Sequence, residues 1–274
     1  MTKKEVATTN ANALATAGFD YGDDAGGGFE DITNKDLAIP FLNILQSNSP
    51  QVVDEEPSGS KPGMIFNTVT GDLATGDDGV IFLPCHTEAQ FVEWVPRDDG
   101  GGYVGSFDPG SPEVKKALEE NDGKDRKLYI GKNHLIETNY VYGLILEEDG
   151  LTPKGFAVLS FTSTKLKPYR AWTTSMFTIR GRPPLWANRA RIKTIKQKND
   201  HGTFFNFNIK PFADTWVGSL VNPAEGGELI AEAKSFREMV LNGIAKADHK
   251  NERSGEGSGG GGSADGDDDG NAPF

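Results

Sequence analysis

The stretch RARIKTIKQKNDHGTFFNFNIKPF, residues 189–212, decides the fold. Two runs rich in β-branched and aromatic residues flank a turn tetrad, Asn199, Asp200, His201 and Gly202, and together they read as a β-hairpin. Whether the connection is counted as two residues or four, residues whose numbers sum to 401 stand opposite one another. Side chains alternate across a strand, so Ile192, Thr194 and Lys196 share a face with Ile209, Phe207 and Phe205. That face is mainly apolar and is expected on a core. The other face holds Arg189, Arg191, Lys193, Ile195 and Gln197 opposite Phe212, Lys210, Asn208, Asn206 and Phe204. Its cations, amides and rings suit a sheet surface that follows a phosphate backbone and stacks a base. A slip of one residue in the turn would exchange the two faces.

Outward from the hairpin, short strands recur. Residues 64–69, 80–85, 90–95, 127–130, 135–146 and 155–161 have strand patterning, and 97–110 read as a Gly- and Asp-rich loop or loose hairpin around 103–107. Ser111 at an N-cap and Pro112 at N1 open a short helix. A second helix is expected around 163–178, with Pro168 placed awkwardly in it, and a third, amphipathic, at about 226–243. Residues 33–36 look like a capping box before an amphipathic run to residue 46, helical or irregular, in which Pro40 opposes a long helix. Many short strands and one closing helix predict a mainly β or α+β domain, built as an OB-fold-type small barrel with insertions.

The chain of 274 residues is long enough to bury a core, and it carries a net charge of −12. No apolar run approaches the ~18 residues of a membrane span, and the lysines near Met1 lead into polar residues without a signal-peptide core. Cys85 is the single cysteine, so no intramolecular disulfide forms, and no CxxC pattern suggests zinc. The expected compartment is a reducing cytoplasm, with no membrane partner.

The net charge hides a partition. Residues 1–32 are net −4 and residues 251–274 net −5, both Gly-rich and without apolar periodicity. Both ends are expected to be disordered, around a nucleic-acid-binding domain at 33–250. Within that domain residues 154–210 hold twelve cations against Asp200 alone, net +11. Nine aromatic residues share the segment: Phe156, Phe161, Tyr169, Trp172, Phe177, Trp186, Phe204, Phe205 and Phe207. More than half of these are expected to be buried. Basic residues interleaved with rings are what single-stranded nucleic acid needs, since cations follow phosphates while bases stack. The candidate contacts are Lys165, Lys167, Tyr169, Arg170, Trp172, Arg180, Arg182, Trp186, Arg189, Arg191, Lys193, Lys198, Phe204 and Lys210.

The C-terminal stretch SGEGSGGGGSADGDDDGNAPF, residues 254–274, is a flexible spacer leading to aspartates and a final Pro-Phe pair. It resembles the tail of bacterial single-stranded DNA-binding proteins and the acidic, Phe-terminated tails of phage proteins with that role. Asp267, Asp268, Asp269, Pro273 and Phe274 match that pattern, while Gly270, Asn271 and Ala272 stand where the bacterial form has one apolar residue. Core stretches such as DLAIPFLNILQ (36–46) and LSFTSTKLKPY (159–169) also resemble a phage-encoded group associated with single-stranded DNA binding. The resemblance implies an OB-fold with insertions, a role in phage DNA replication, recombination or repair, and recruitment of replication proteins such as DNA polymerase through the tail. It leaves self-association open.

Catalysis finds little support. His86, His134, His201 and His249 are scattered without HxH or HExxH spacing, and Cys85 and His86, as strand neighbours, are expected on opposite faces. Asp77–Asp78 and Asp98–Asp99 lie in turns, where Asp is favoured anyway. No enzyme activity and no cofactor is expected. The alternative class is a phage recombination or virion-associated interaction module that does not primarily bind DNA.

Overall fold

The structure, a computed structural model, describes residues 38–121, 128–199, 202–247, 249 and 252–253. In chain order the strands are β1 (Ala38–Ile39), β2 (Leu42–Ile44), β3 (Ile65–Asn67), β4 (Leu73–Ala74), β5 (Val80–Trp94), β6 (Tyr103–Phe107), β7 (Leu128–Ile130), β8 (Asn133–Leu146), β9 (Pro153–Phe161), β10 (Ala190–Asn199), β11 (Gly202–Pro211) and β12 (Lys246–Ala247). The α-helices are α1 (Pro50–Val53), α2 (Pro112–Asn121), α3 (Leu166–Phe177) and α4 (Gly227–Leu241). Among the described residues strand outweighs helix, 39% to 24%, which makes the class mainly β.

The frame is the long antiparallel pair β5–β8, running from Ile81 opposite Leu146 to Trp94 opposite His134. At one end β10 and then β11 extend the sheet beside β5 while β9 pairs with β8; at the other end β6 flanks β5 and β7 flanks β8. Ile81, Leu83 and Cys85 enter one core with Leu229, Ala233 and Phe236 of α4, spaced i, i+4, i+7. Phe82 enters a second core with Leu159, Phe161, Ile192, Phe207 and Trp172 of α3. Both faces of the sheet are covered here, which is why residues 80–85 form an apolar run without alternation. Gly143 fits because a Cβ there would overlap the Leu83 carbonyl and the Phe82 ring.

Several expectations need correction. Residues 80–85 and 90–95 are one strand, not two, with a bulge between Pro84 and His86. The bulge shifts the alternation by one, so Cys85 lies in the first core and His86, opposite the Tyr142 of that same core, faces the same side. Cys85 and His86 therefore do not point apart. Residues 38–44, expected to be helical or irregular, are two short strands on either side of Pro40, which lacks an N–H and holds Ile39 extended. The suggested capping box at Thr33 lies outside the described residues. Residues 103–107, read as part of a loop or a loose hairpin, form β6, which returns antiparallel beside β5. Pro168 is tolerated because a 3-10 turn at Ser163–Lys165 precedes α3, which puts the proline in the first helical turn, where an N–H has no intrahelical partner.

The strands do not close into a barrel by continuous pairing among the described residues. A small sheet, β2–β3–β4, instead sits between the two open edges. Val158 of β9 donates its N–H to the Pro40 carbonyl at 2.9 Å, while the Gln46 amide pairs in both directions with the Phe205 backbone of β11, at 2.9 and 2.8 Å. Gly63, at φ +89°, lets its loop lie against the Phe205 ring.

The described fold runs on to Arg253, into the stretch expected to be disordered. β12 pairs in parallel with β1, and Glu252, 6% exposed, accepts the Tyr140 hydroxyl at 2.9 Å and lies 3.2 Å from His249 Nδ1. Its backbone carbonyl accepts Asn43 Nδ2 at 2.8 Å, and the Arg253 guanidinium covers the Trp94 ring at 3.9 Å. No helix among the described residues is long and apolar enough to cross a membrane.

Candidate nucleic-acid interface

The β10–β11 register is that read from the turn: Arg191 stands opposite Lys210, Lys193 opposite Asn208 and Gln197 opposite Phe204, each pair summing to 401. Ile192 and Phe207 are buried in the second core, and Phe205 and Ile209 pack against it. The apolar face is thus inward, and the face with Lys193, Ile195 and Lys210 is outward. Ile195 is 45% exposed at its centre.

The candidate cations divide into committed and open groups. The Arg189 guanidinium donates to the carbonyls of Ser219, Gly150 and Leu220 at 3.0, 3.0 and 3.1 Å and stacks on Phe212. Burial pulls its pKa down. Its geometry is that of a structural clamp, with each of the three guanidinium nitrogens already donating to a backbone carbonyl. Arg191 grips Glu148 in a bidentate pair at 2.9 and 3.2 Å and also donates to the Asp78 carbonyl; that bond holds the Glu148 carboxyl below its ordinary value. Glu148 thereby offsets the juxtaposition of Arg191 with Lys210, two like charges directly opposite. Lys165 lies over the Phe207 ring. Lys167, Lys193, Lys198, Lys210 and Arg180 make no ion pair among the described residues. Lys198 belongs by alternation to the core-side face, and it reaches solvent because the hairpin tip extends past the core.

The rings divide in the same way. Trp172 is 2% exposed, edge-on to Phe82 and tilted against Phe161, so its faces are covered by protein and it cannot stack a base. Trp186 packs half-buried against the first core beneath Arg237 of α4. Tyr169 packs at 5.1 Å from Phe161, and burial, with the Glu137 charge nearby, raises its hydroxyl pKa. Phe204 is half-buried on the outward hairpin face. Asn206, read as part of that face, is buried and bonds Thr164 and Gln197. Only Phe161, Trp172 and Phe207 of the nine aromatics are buried, fewer than expected. The most exposed, at 65%, is Phe177, which sequence alone leaves undistinguished among its neighbours. The Arg182 guanidinium lies over it at 4.7 Å. Arg170, also exposed, is one helical turn before Thr174 on the same side of α3.

Cys85 is buried, its thiol donates toward the Leu83 carbonyl, and burial pushes its pKa up. Among the described residues no group of three or more His, Cys, Asp or Glu side chains could hold a metal ion. Asp267, Asp268, Asp269, Pro273 and Phe274 lie outside the described residues, as do residues 1–32.

No curated protein and no solved structure matches the chain. A family model does, that of the Pam3 phage gp34-like protein, over residues 8–246. That span takes in both sheet edges, the hairpin and α4, and stops before the acidic tail. The chain belongs to the Pam3 phage gp34-like protein family.

Proposed function

We propose that this protein binds single-stranded DNA with little sequence preference and protects it during phage DNA replication or recombination. The observation that carries the reading is the outward face of β10–β11, where Lys193 and Lys210, without ion pairs among the described residues, share a surface with half-buried Phe204 and exposed Ile195. Unpaired cations neutralise phosphates, and rings on the same surface accept bases of any identity. Arg189 and Arg191 serve this surface indirectly, by fixing β10 to the 213–221 loop and to the β8–β9 turn. The small sheet set between β9 and β11 supports reading the fold as an opened barrel of the OB type, the hairpin forming one wall.

In this reading the acidic tail recruits replication proteins through Phe274 and competes with DNA for the cationic surface. A tethered segment acts at an effective concentration on the order of millimolar, enough for weak attraction to matter at low salt. The protein acts in the cytoplasm of the bacterial host. Gel-shift titration with single-stranded and duplex oligonucleotides of matched length tests the proposal: preference for the single strand supports it, and equal or tighter duplex binding refutes it.

A further inference from the structure

An open cleft of about 520 Å3, within the roughly 300–1,000 Å3 typical of ligand sites, lies between the end of α3 and the segment that follows it. Tyr169, Thr173 and Phe177 line it from the helix, Arg182 and Asn188 from the segment after it, and Thr87 from β5. Asn188 is 2% exposed; its Nδ2 donates to the Pro184 and Leu185 carbonyls, while Oδ1 has no partner among the described residues.

The mouth of the cleft is unusual in its backbone as well. Arg182 sits at φ +46°, a left-handed conformation that strains any residue with a Cβ and that glycine would adopt freely, and Pro183 and Pro184 follow it at once. Its N–H closes a turn onto the Ile179 carbonyl at 2.9 Å. The strained turn delivers the guanidinium onto the Phe177 ring, which is otherwise open to solvent. Arg180 stands in the same turn, and Arg170 shares the helix stripe of Thr174 and Phe177 at i, i+4 and i+7. Between Lys154 and Asn199 the chain has no acidic residue; the Glu137 charge reaches Tyr169 of the cleft, while Glu88, the neighbour of Thr87 on β5, accepts from Tyr142 on the opposite face of the sheet. An accessible ring, a guanidinium lying over it and a cationic rim complement a flat aromatic group bearing a negative charge.

We propose that Phe177 and Arg182 form a base clamp, in which a nucleobase of the bound single strand stacks on Phe177 while Arg182 and Arg180 hold its phosphate. The inference rests on the single-strand reading above and extends the contact surface from the hairpin to the end of α3. It assigns the stacking to Phe177 instead of Trp172, whose ring is enclosed.

Fluorescence anisotropy on the full-length protein tests the clamp, with a labelled oligothymidylate and an abasic strand of the same length as probes. Loss of one stacked base lowers affinity by roughly 5- to 150-fold. Phe177→Ala is expected to weaken oligothymidylate binding within that range and to leave abasic-strand binding unchanged, and Phe177→Trp to retain both. Arg182→Gly relieves the positive φ, so its melting temperature is expected to hold or rise while oligothymidylate affinity falls; a merely structural arginine would give no such split. Wild-type affinity in Phe177→Ala and Arg182→Gly, or equal loss on both probes in Phe177→Ala, overturns the clamp and leaves the hairpin reading standing. Failure of the wild-type protein to bind either strand overturns both.

Discussion

Where the chain is cut decides what a tail deletion measures. A chain ending at Arg253 keeps Glu252 against Tyr140 and Arg253 on Trp94; a chain ending at Ala247 loses both, together with His249, whose ring stacks on Tyr103 at 5.2 Å. Tyr140 is 0% exposed, so losing its acceptor leaves a buried hydroxyl unsatisfied, at about 1–3 kcal/mol. The Asn43 amide loses the Glu252 carbonyl as well, and the Arg253–Trp94 contact contributes about 0.5–2 kcal/mol. Relief from burying the Glu252 carboxylate offsets part of this. A net loss of about 3 kcal/mol, at roughly 2–4 °C per kcal/mol for a domain of this size, lowers the melting temperature by roughly 6–12 °C. Thermal unfolding followed by circular dichroism, at one protein concentration, compares the full chain with the two truncations. The chain ending at Arg253 is expected to melt with the full-length protein and the one ending at Ala247 well below it. Equal melting temperatures for the two truncations would refute the argument that Glu252 and Arg253 belong to the fold.

Three further outcomes follow from the same geometry. Lys193→Gln combined with Lys210→Gln should reduce the slope of log affinity against log salt by roughly 1.4, at ~0.7 per phosphate, with the melting temperature unchanged; Arg189→Gln should lower the melting temperature instead, because three carbonyls lose their donor. Ending the chain at Arg253 should tighten single-strand binding at low salt, whereas removing Phe274 alone should abolish capture of replication proteins and keep DNA affinity; weakened DNA binding on truncation would show that the tail does not compete. Burial raises the pKa of Glu232 above its ordinary 4.5, so the folded state holds the extra proton and stability falls as pH rises through that window. Glu232→Gln should therefore be more stable than wild type at pH 7, with the gap closing below about pH 4.5 in denaturant titrations; a gap independent of pH would contradict it.

The hairpin register was legible because the turn at 199–202, counted as two residues or four, sets residues summing to 401 opposite one another. The α4 stripe was legible from its spacing. The β5 bulge was not, since nothing local marks where an extra residue enters a strand covered on both faces, and every alternation argument beyond it inherits the shift. Charge counting found the cationic segment but could not separate Arg189 and Arg191, held by carbonyls and Glu148, from Lys193 and Lys210; their partners lie 30 to 113 residues away in sequence. The role of Glu252 was hidden for a related reason: amid a glycine-rich acidic run it has the composition of a tail, and Tyr140 and Asn43, 112 and 209 residues earlier, show otherwise. Phe177 had one usable sign, its place at a helix end followed by Arg180, Gly181, Arg182 and two prolines.

The central claim is tested most directly by titrating the full-length protein with a labelled single strand, and with the duplex of the same sequence, over a series of salt concentrations. Single-strand binding is predicted to be tighter at every salt concentration, with log affinity falling linearly against log salt at ~0.7 per phosphate contacted. Equal or tighter binding to the duplex, or no single-strand binding at low salt, would contradict it.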